Sequence, residues 1–139
     1  MVIPWLKWAG SLVVILLLTA FAVREAIYWV FRVKMPFRDA CKLAFIMEAV
    51  TTAVTYGLWY AVAATTPSPH EAWHPVSLIM WPAGAIIHIT ILSFRLDTGF
   101  LKACLVYLGM VAVMIATGFG LLLLYLAGAW IWHMSMPGR

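Results

Sequence analysis

Four apolar runs occupy most of the chain and leave it few ways to fold. They cover residues 4–23, 40–64, 76–94 and 103–132. A helix needs about 20 predominantly apolar residues to cross a bilayer, and each run supplies roughly that or more. A helix also satisfies its own backbone hydrogen bonds, which hydrocarbon cannot do for it. The expected fold class is therefore all-α, an integral membrane bundle of four transmembrane helices in one 139-residue domain. The last run is long enough to tilt or to project beyond the membrane.

Composition argues the same way. The sequence is 65% hydrophobic and 10% charged, with a mean hydropathy of +1.00. A soluble domain carries about 25% charge, so water is not the main solvent for this surface. The formal charge of +4 does not imply a nucleic-acid partner, because the nine basic residues mostly flank apolar runs, where membrane topology places them. The expected partners are the lipid bilayer, further copies of the chain or other membrane subunits. No repeat and no soluble domain interrupts the pattern.

The first run has features of a signal peptide: Lys7 ahead of the apolar stretch, and Ala20, Phe21 and Ala22 in the arrangement of a cleavage site. We read it instead as a retained membrane helix. It continues past Arg24 and Glu25 because residues 26–31 stay apolar and aromatic. The connections are short. Residues 34–38 join the first pair, with Pro36 suited to a helix start. Asp97, Thr98 and Gly99 form a tight turn between the third and fourth runs. The middle loop, 65–75, is the longest and holds three prolines.

Charge asymmetry sets an expected orientation. Arg24, Arg32, Lys34, Arg38, Lys42, Arg95 and Lys102 flank the first and third loops, against Lys7 and Arg139 on the other side. Basic residues accumulate in the cytoplasm, so loops one and three are expected inside a plasma (inner) membrane, with both termini and the middle loop outside. Tryptophans and tyrosines near both boundaries fit the aromatic belts of membrane interfaces. Cys41 and Cys104 then lie at cytoplasmic helix ends, where thiols stay reduced, and read as small packing residues.

Polar residues inside the runs carry the functional signal. Glu48 lies within the second run, where an ionised carboxylate costs several kcal/mol unless it is partnered or protonated. Thr51, Thr52 and Thr55 follow at offsets of three, four and seven, which puts a polar stripe on that helix. His88 is the corresponding residue of the third run. Glu48 lies seven residues after Cys41, and His88 seven before Arg95, so both sit ~10 Å inside the same boundary. The sequence thus predicts a direct or water-bridged Glu48–His88 contact, with Leu17 and Gly109 level with it on the other helices. Such a pair ties two helices together or handles a proton or cation.

Two further patterns stand out. Pro82, with Gly84 beside it, predicts a bend in the third helix. Ala112, Ala116 and Gly120 form a small-residue seam on the fourth, suited to close packing within the bundle or between subunits.

At the outer ends, His70, Glu71 and His74 match the His-Glu-x-x-His pattern of zinc proteases. Pro75 directly after His74 disfavours the helix that pattern requires, so a protease is not the expectation. With His133, Met134 and Met136 the two histidines instead form a candidate copper or zinc site, since imidazole with thioether suits copper and imidazole alone suits zinc. Self-contained haem b is not expected, because only His88 lies deep in a span and a second axial ligand would have to come from another subunit. The sequence favours a small non-enzymatic membrane subunit with an ion or proton site at Glu48 and His88. A metal-binding or redox-associated membrane protein ranks second, and a membrane-embedded enzyme third.

Overall fold

A computed structural model describes residues 4–68 and 70–135, without the side chains of residues 4–8, 133 and 135. It is all-helical, with no strand among the described residues. The helices are α1 (Pro4–Phe31), α2 (Phe37–Ala63), α3 (Trp73–Arg95) and α4 (Phe100–Ser135). Each is long and apolar enough to span a membrane. They pack as a ring: α1 touches α2 and α4, and α3 touches α2 and α4, while the diagonal pairs do not meet. The most extensive contact is between α1 and α4, the two ends of the chain.

The ends of the helices follow local chemistry. Helix α1 runs through Arg24 and Glu25 to Phe31, and stops where Arg32 adopts a left-handed φ of 58°. The Arg32 N–H still donates to the Tyr28 carbonyl at 2.9 Å. Helix α3 ends similarly, with Asp97 at φ 46° and the Thr98 N–H on the Ser93 carbonyl at 3.1 Å. The Ser93 hydroxyl returns a bond to the Thr98 carbonyl at 2.8 Å, which closes the turn. Pro36 is the N-cap of α2, just ahead of the first helical residue.

The start of α3 differs from expectation. His74 lies inside the helix although Pro75 follows it, because α3 begins at Trp73 and Pro75 falls in its first turn. First-turn N–H groups have no intrahelical acceptor, so proline is tolerated there. Pro82 stands further along, within a helix that is continuous from Trp73 to Arg95.

Burial divides the molecule across its length. One core cluster joins Ala22, Val23, Ala26 and Ile27 of α1, Leu43 and Met47 of α2, Leu92 of α3, and Ala103, Val106, Met110 and Val113 of α4. All lie toward the end that carries loops one and three, here called the basic end. Gly109 permits the closest approach: a Cβ there would stand 3.2 Å from the Ala26 Cβ and 3.6 Å from its Cα. Toward the opposite end the helices separate. Of the described α4 side chains from Met114 onward, all but Thr117 and Ala129 are exposed. At that end Trp59 stacks on Trp73 at 5.5 Å and Tyr56 meets Trp73 edge-on at 6.1 Å, above buried Ala72 and Val76.

Candidate functional site

Helix α2 carries Glu48 and Thr51 three residues apart, so their side chains diverge by about 60° around the helix axis. That angle sends them to different neighbours. Glu48 turns toward α1, where the Thr19 hydroxyl, almost wholly buried, donates to Glu48 Oε1 at 3.2 Å. Thr51 turns toward α3, where its hydroxyl bonds His88 Nε2 at 3.0 Å, donating or accepting according to the ring tautomer. His88 in turn meets the Tyr107 ring of α4 edge-on, with centroids 6.0 Å apart. A polar layer therefore links Thr19, Glu48, Thr51, His88 and Tyr107 across all four helices.

The direct Glu48–His88 bond anticipated from sequence is not formed; each group takes a threonine instead. Glu48 remains within electrostatic reach of His88. The residues anticipated at this level, Leu17 and Gly109, are displaced by Thr19 and Tyr107, both two positions nearer the basic end. Two residues correspond to about 3 Å of rise, the size of error made when helix ends are set by charged residues and the helices continue beyond them. Thr19 had a readable signal, since it is the one hydroxyl residue in the apolar stretch 12–23. Tyr107 had none, because a tyrosine near a helix end reads first as a belt residue.

The three threonines divide their tasks. Thr51 holds His88. Thr55 donates to the Thr51 carbonyl at 2.7 Å and so satisfies itself within α2. Thr52 is exposed and lines an open groove of about 390 Å³ between α1 and α2, together with Leu12, Ile15, Leu16, Phe45, Glu48, Ala49 and Ala53. Glu48 is the only charged residue among them. Among the described residues its hydrogen bond is the one from Thr19 to Oε1, and the side chain is half-buried.

The outer-face residues are less informative. His70 and His74 are exposed, His70 in the turn before α3 and His74 in its first turn. Met134 is exposed near the end of α4. The His133 side chain and Met136 lie outside the described residues. No group of three His, Cys, Asp or Glu side chains able to hold a metal gathers among the described residues. Ala112, Ala116 and Gly120 face away from the bundle, and a Cβ on Gly120 would have nothing within 4 Å. Cys41 and Cys104 are free, half-buried thiols. Comparison with protein-family models, with curated proteins and with solved structures gives no match.

Proposed function

We propose that this chain is a small integral membrane subunit that holds a proton or a cation at an intramembrane site centred on Glu48 and His88. The observation that carries this reading is the placement of Glu48: a half-buried carboxylate within a membrane-spanning helix, lining a groove whose other walls are apolar but for Thr52. A structural tie between helices needs one hydrogen bond, and the Thr19–Glu48 and Thr51–His88 bonds already supply one for the α1–α2 pair and one for the α2–α3 pair. A tie of that kind does not require a carboxylate, and intramembrane ionisable groups mark ion and proton sites by default. His88, held by Thr51 on the neighbouring helix, adds an imidazole, a side chain able both to accept and to donate a proton.

The exposed seam of Ala112, Ala116 and Gly120 supports a further part of the reading: the subunit works in association with other copies or other membrane subunits, which pack against the open half of α4. The seven-to-two basic bias supports loops one and three on the cytoplasmic side of an inner membrane.

Reconstitution tests the site. Liposomes containing the protein and an internal pH-sensitive or cation-sensitive dye should show gradient-driven flux above empty liposomes. Glu48→Gln should abolish that flux while circular dichroism stays unchanged. Wild-type flux equal to that of empty liposomes, under imposed proton, sodium and potassium gradients alike, refutes conduction of these ions, and the reading then stands only if an organic cation binds at Glu48. Orientation is read separately. In a chain carrying Cys41→Ser and Cys104→Ser, an impermeant thiol reagent added outside should modify Thr66→Cys and leave Pro36→Cys untouched.

A further inference from the structure

We infer that the groove between α1 and α2 binds a lipophilic organic cation that enters sideways from the bilayer, with Glu48 as its counter-ion. The inference rests on the reading of Glu48 as an ion site and names the class of ion. The groove is about 390 Å³, within the range of small-molecule pockets. Its walls are apolar: Leu12, Ile15, Leu16, Phe45, Ala49 and Ala53. Leu12 is 63% exposed and Phe45 61%, so the groove opens on the outer surface of the bundle, which in a membrane is the lipid side.

The donor set selects the ligand. A bare inorganic cation needs about six oxygens around it, and the groove offers only the Glu48 carboxylate and the Thr52 hydroxyl. An anion is repelled by Glu48. A neutral lipid chain needs no carboxylate, and placing one there would only cost desolvation. An organic cation uses every feature: its apolar body replaces lipid against the leucines, its charge meets the Glu48 carboxylate, and Phe45 supplies an aromatic wall of the kind that attracts a positive group. Thr19 completes the design from behind. Almost wholly buried, it holds Oε1 and so fixes the carboxylate at the edge of the groove that Glu48 lines.

Tetraphenylphosphonium is the probe. Purified full-length protein in nanodiscs should bind it saturably, and Glu48→Gln should weaken binding by about tenfold or more, the equivalent of about 1.4 kcal/mol. Neutral tetraphenylsilane, of the same shape, should fail to compete on the wild-type protein. This second comparison keeps the test valid if Glu48→Gln disturbs the fold. Equal competition by the silane, or binding unchanged in Glu48→Gln, overturns the inference. So does disulfide crosslinking between copies through Ala49→Cys that excludes the probe, since a second chain would then fill the groove. Proton or metal-cation flux that depends on Glu48, in a protein that does not bind the phosphonium, overturns the lipophilic-cation assignment and leaves the ion site standing.

Discussion

The half of the bundle at the basic end and the half beyond the polar layer are built from the same apolar alphabet, yet the first holds nearly all of the packed core, and the second only Ala72, Val76 and a small aromatic cluster. Apolarity does not separate them. Residues Leu121, Leu122, Leu123 and Leu124 form one of the most hydrophobic stretches in the chain, and all four are exposed. The buried set is instead rich in small side chains: Ala20, Ala22, Ala26, Ala40, Ala44 and Ala103 are each fully buried. In lipid there is no hydrophobic gain in burying a leucine against another helix, because the acyl chains are as apolar as the leucine. What favours contact is close van der Waals approach, and small residues permit it. The open half is therefore stable against lipid, and it is the half left available to ligands and to other chains.

Paired substitutions at matching residues in the two halves sharpen this contrast. Gly109→Leu should have the largest effect. A side chain there would be forced against the Ala26 backbone, which cannot swing aside, and should destabilise the fold by about 3 kcal/mol. Gly120→Leu, with open space around it, should change monomer stability by less than about 0.5 kcal/mol. Unfolding in detergent micelles measures both. If the Ala112–Ala116–Gly120 seam packs between copies, Gly120→Leu should also lower the oligomer fraction seen by crosslinking. Met47→Ala comes next. Met47 is fully buried in the core cluster, and its truncation should cost about 2 kcal/mol in lost packing. Leu123→Ala on the lipid face should cost nothing measurable. Equal losses for Met47→Ala and Leu123→Ala would break the distinction between the halves.

The polar layer marks the border between them, and its bonds are weaker than its core. Thr51→Val removes the hydroxyl that holds His88 while keeping the branched shape. The expected loss is about 0.6–1 kcal/mol, the range of side-chain hydrogen bonds between membrane helices. Thr51→Ser should restore it. A Thr51→Val protein as stable as wild type, measured by the same unfolding assay, would show that the α2–α3 contact is held by packing alone.

How much of this was legible in the sequence depends on which physical rule applied. The four helices were, because bilayer length and backbone satisfaction admit few alternatives. The level of the polar layer was legible to within about one helical turn, since Glu48 and His88 do lie in neighbouring helices of one layer. The partners were not. Helix α1 does run past Arg24 to Phe31 as expected, but the level within it was placed two residues too far from the basic end, so Thr19 stands where Leu17 was expected. The grouping of Thr51, Thr52 and Thr55 on one face was too coarse: three and four residues lie on either side of a full turn, and that splits a stripe between two interfaces. The open half was invisible in the sequence, because hydropathy records that a residue can face lipid and not that it does.

The smallest expected change in stability belongs to the residue with the largest expected functional effect. Glu48→Gln keeps a carbonyl-type oxygen that can still accept the Thr19 hydroxyl, and it keeps the volume of the side chain in the groove. It removes a charge that hydrocarbon disfavours. Folding stability should therefore shift by less than about 0.5 kcal/mol, and in the stabilising direction if it moves at all. Thr19→Val makes the complementary cut. It leaves the carboxylate but removes the hydrogen bond that the almost wholly buried Thr19 gives it, and should destabilise by about 1 kcal/mol. If Glu48 serves only to tie α1 to α2, the two variants should cost ion flux in proportion to their loss of stability, with Thr19→Val the worse. If Glu48 is the ion site, the order reverses: Glu48→Gln is the more stable protein and the inactive one, and Thr19→Val retains flux in whatever fraction remains folded. Measuring flux and unfolding on the same two preparations decides between a border that holds the helices together and a border that carries charge.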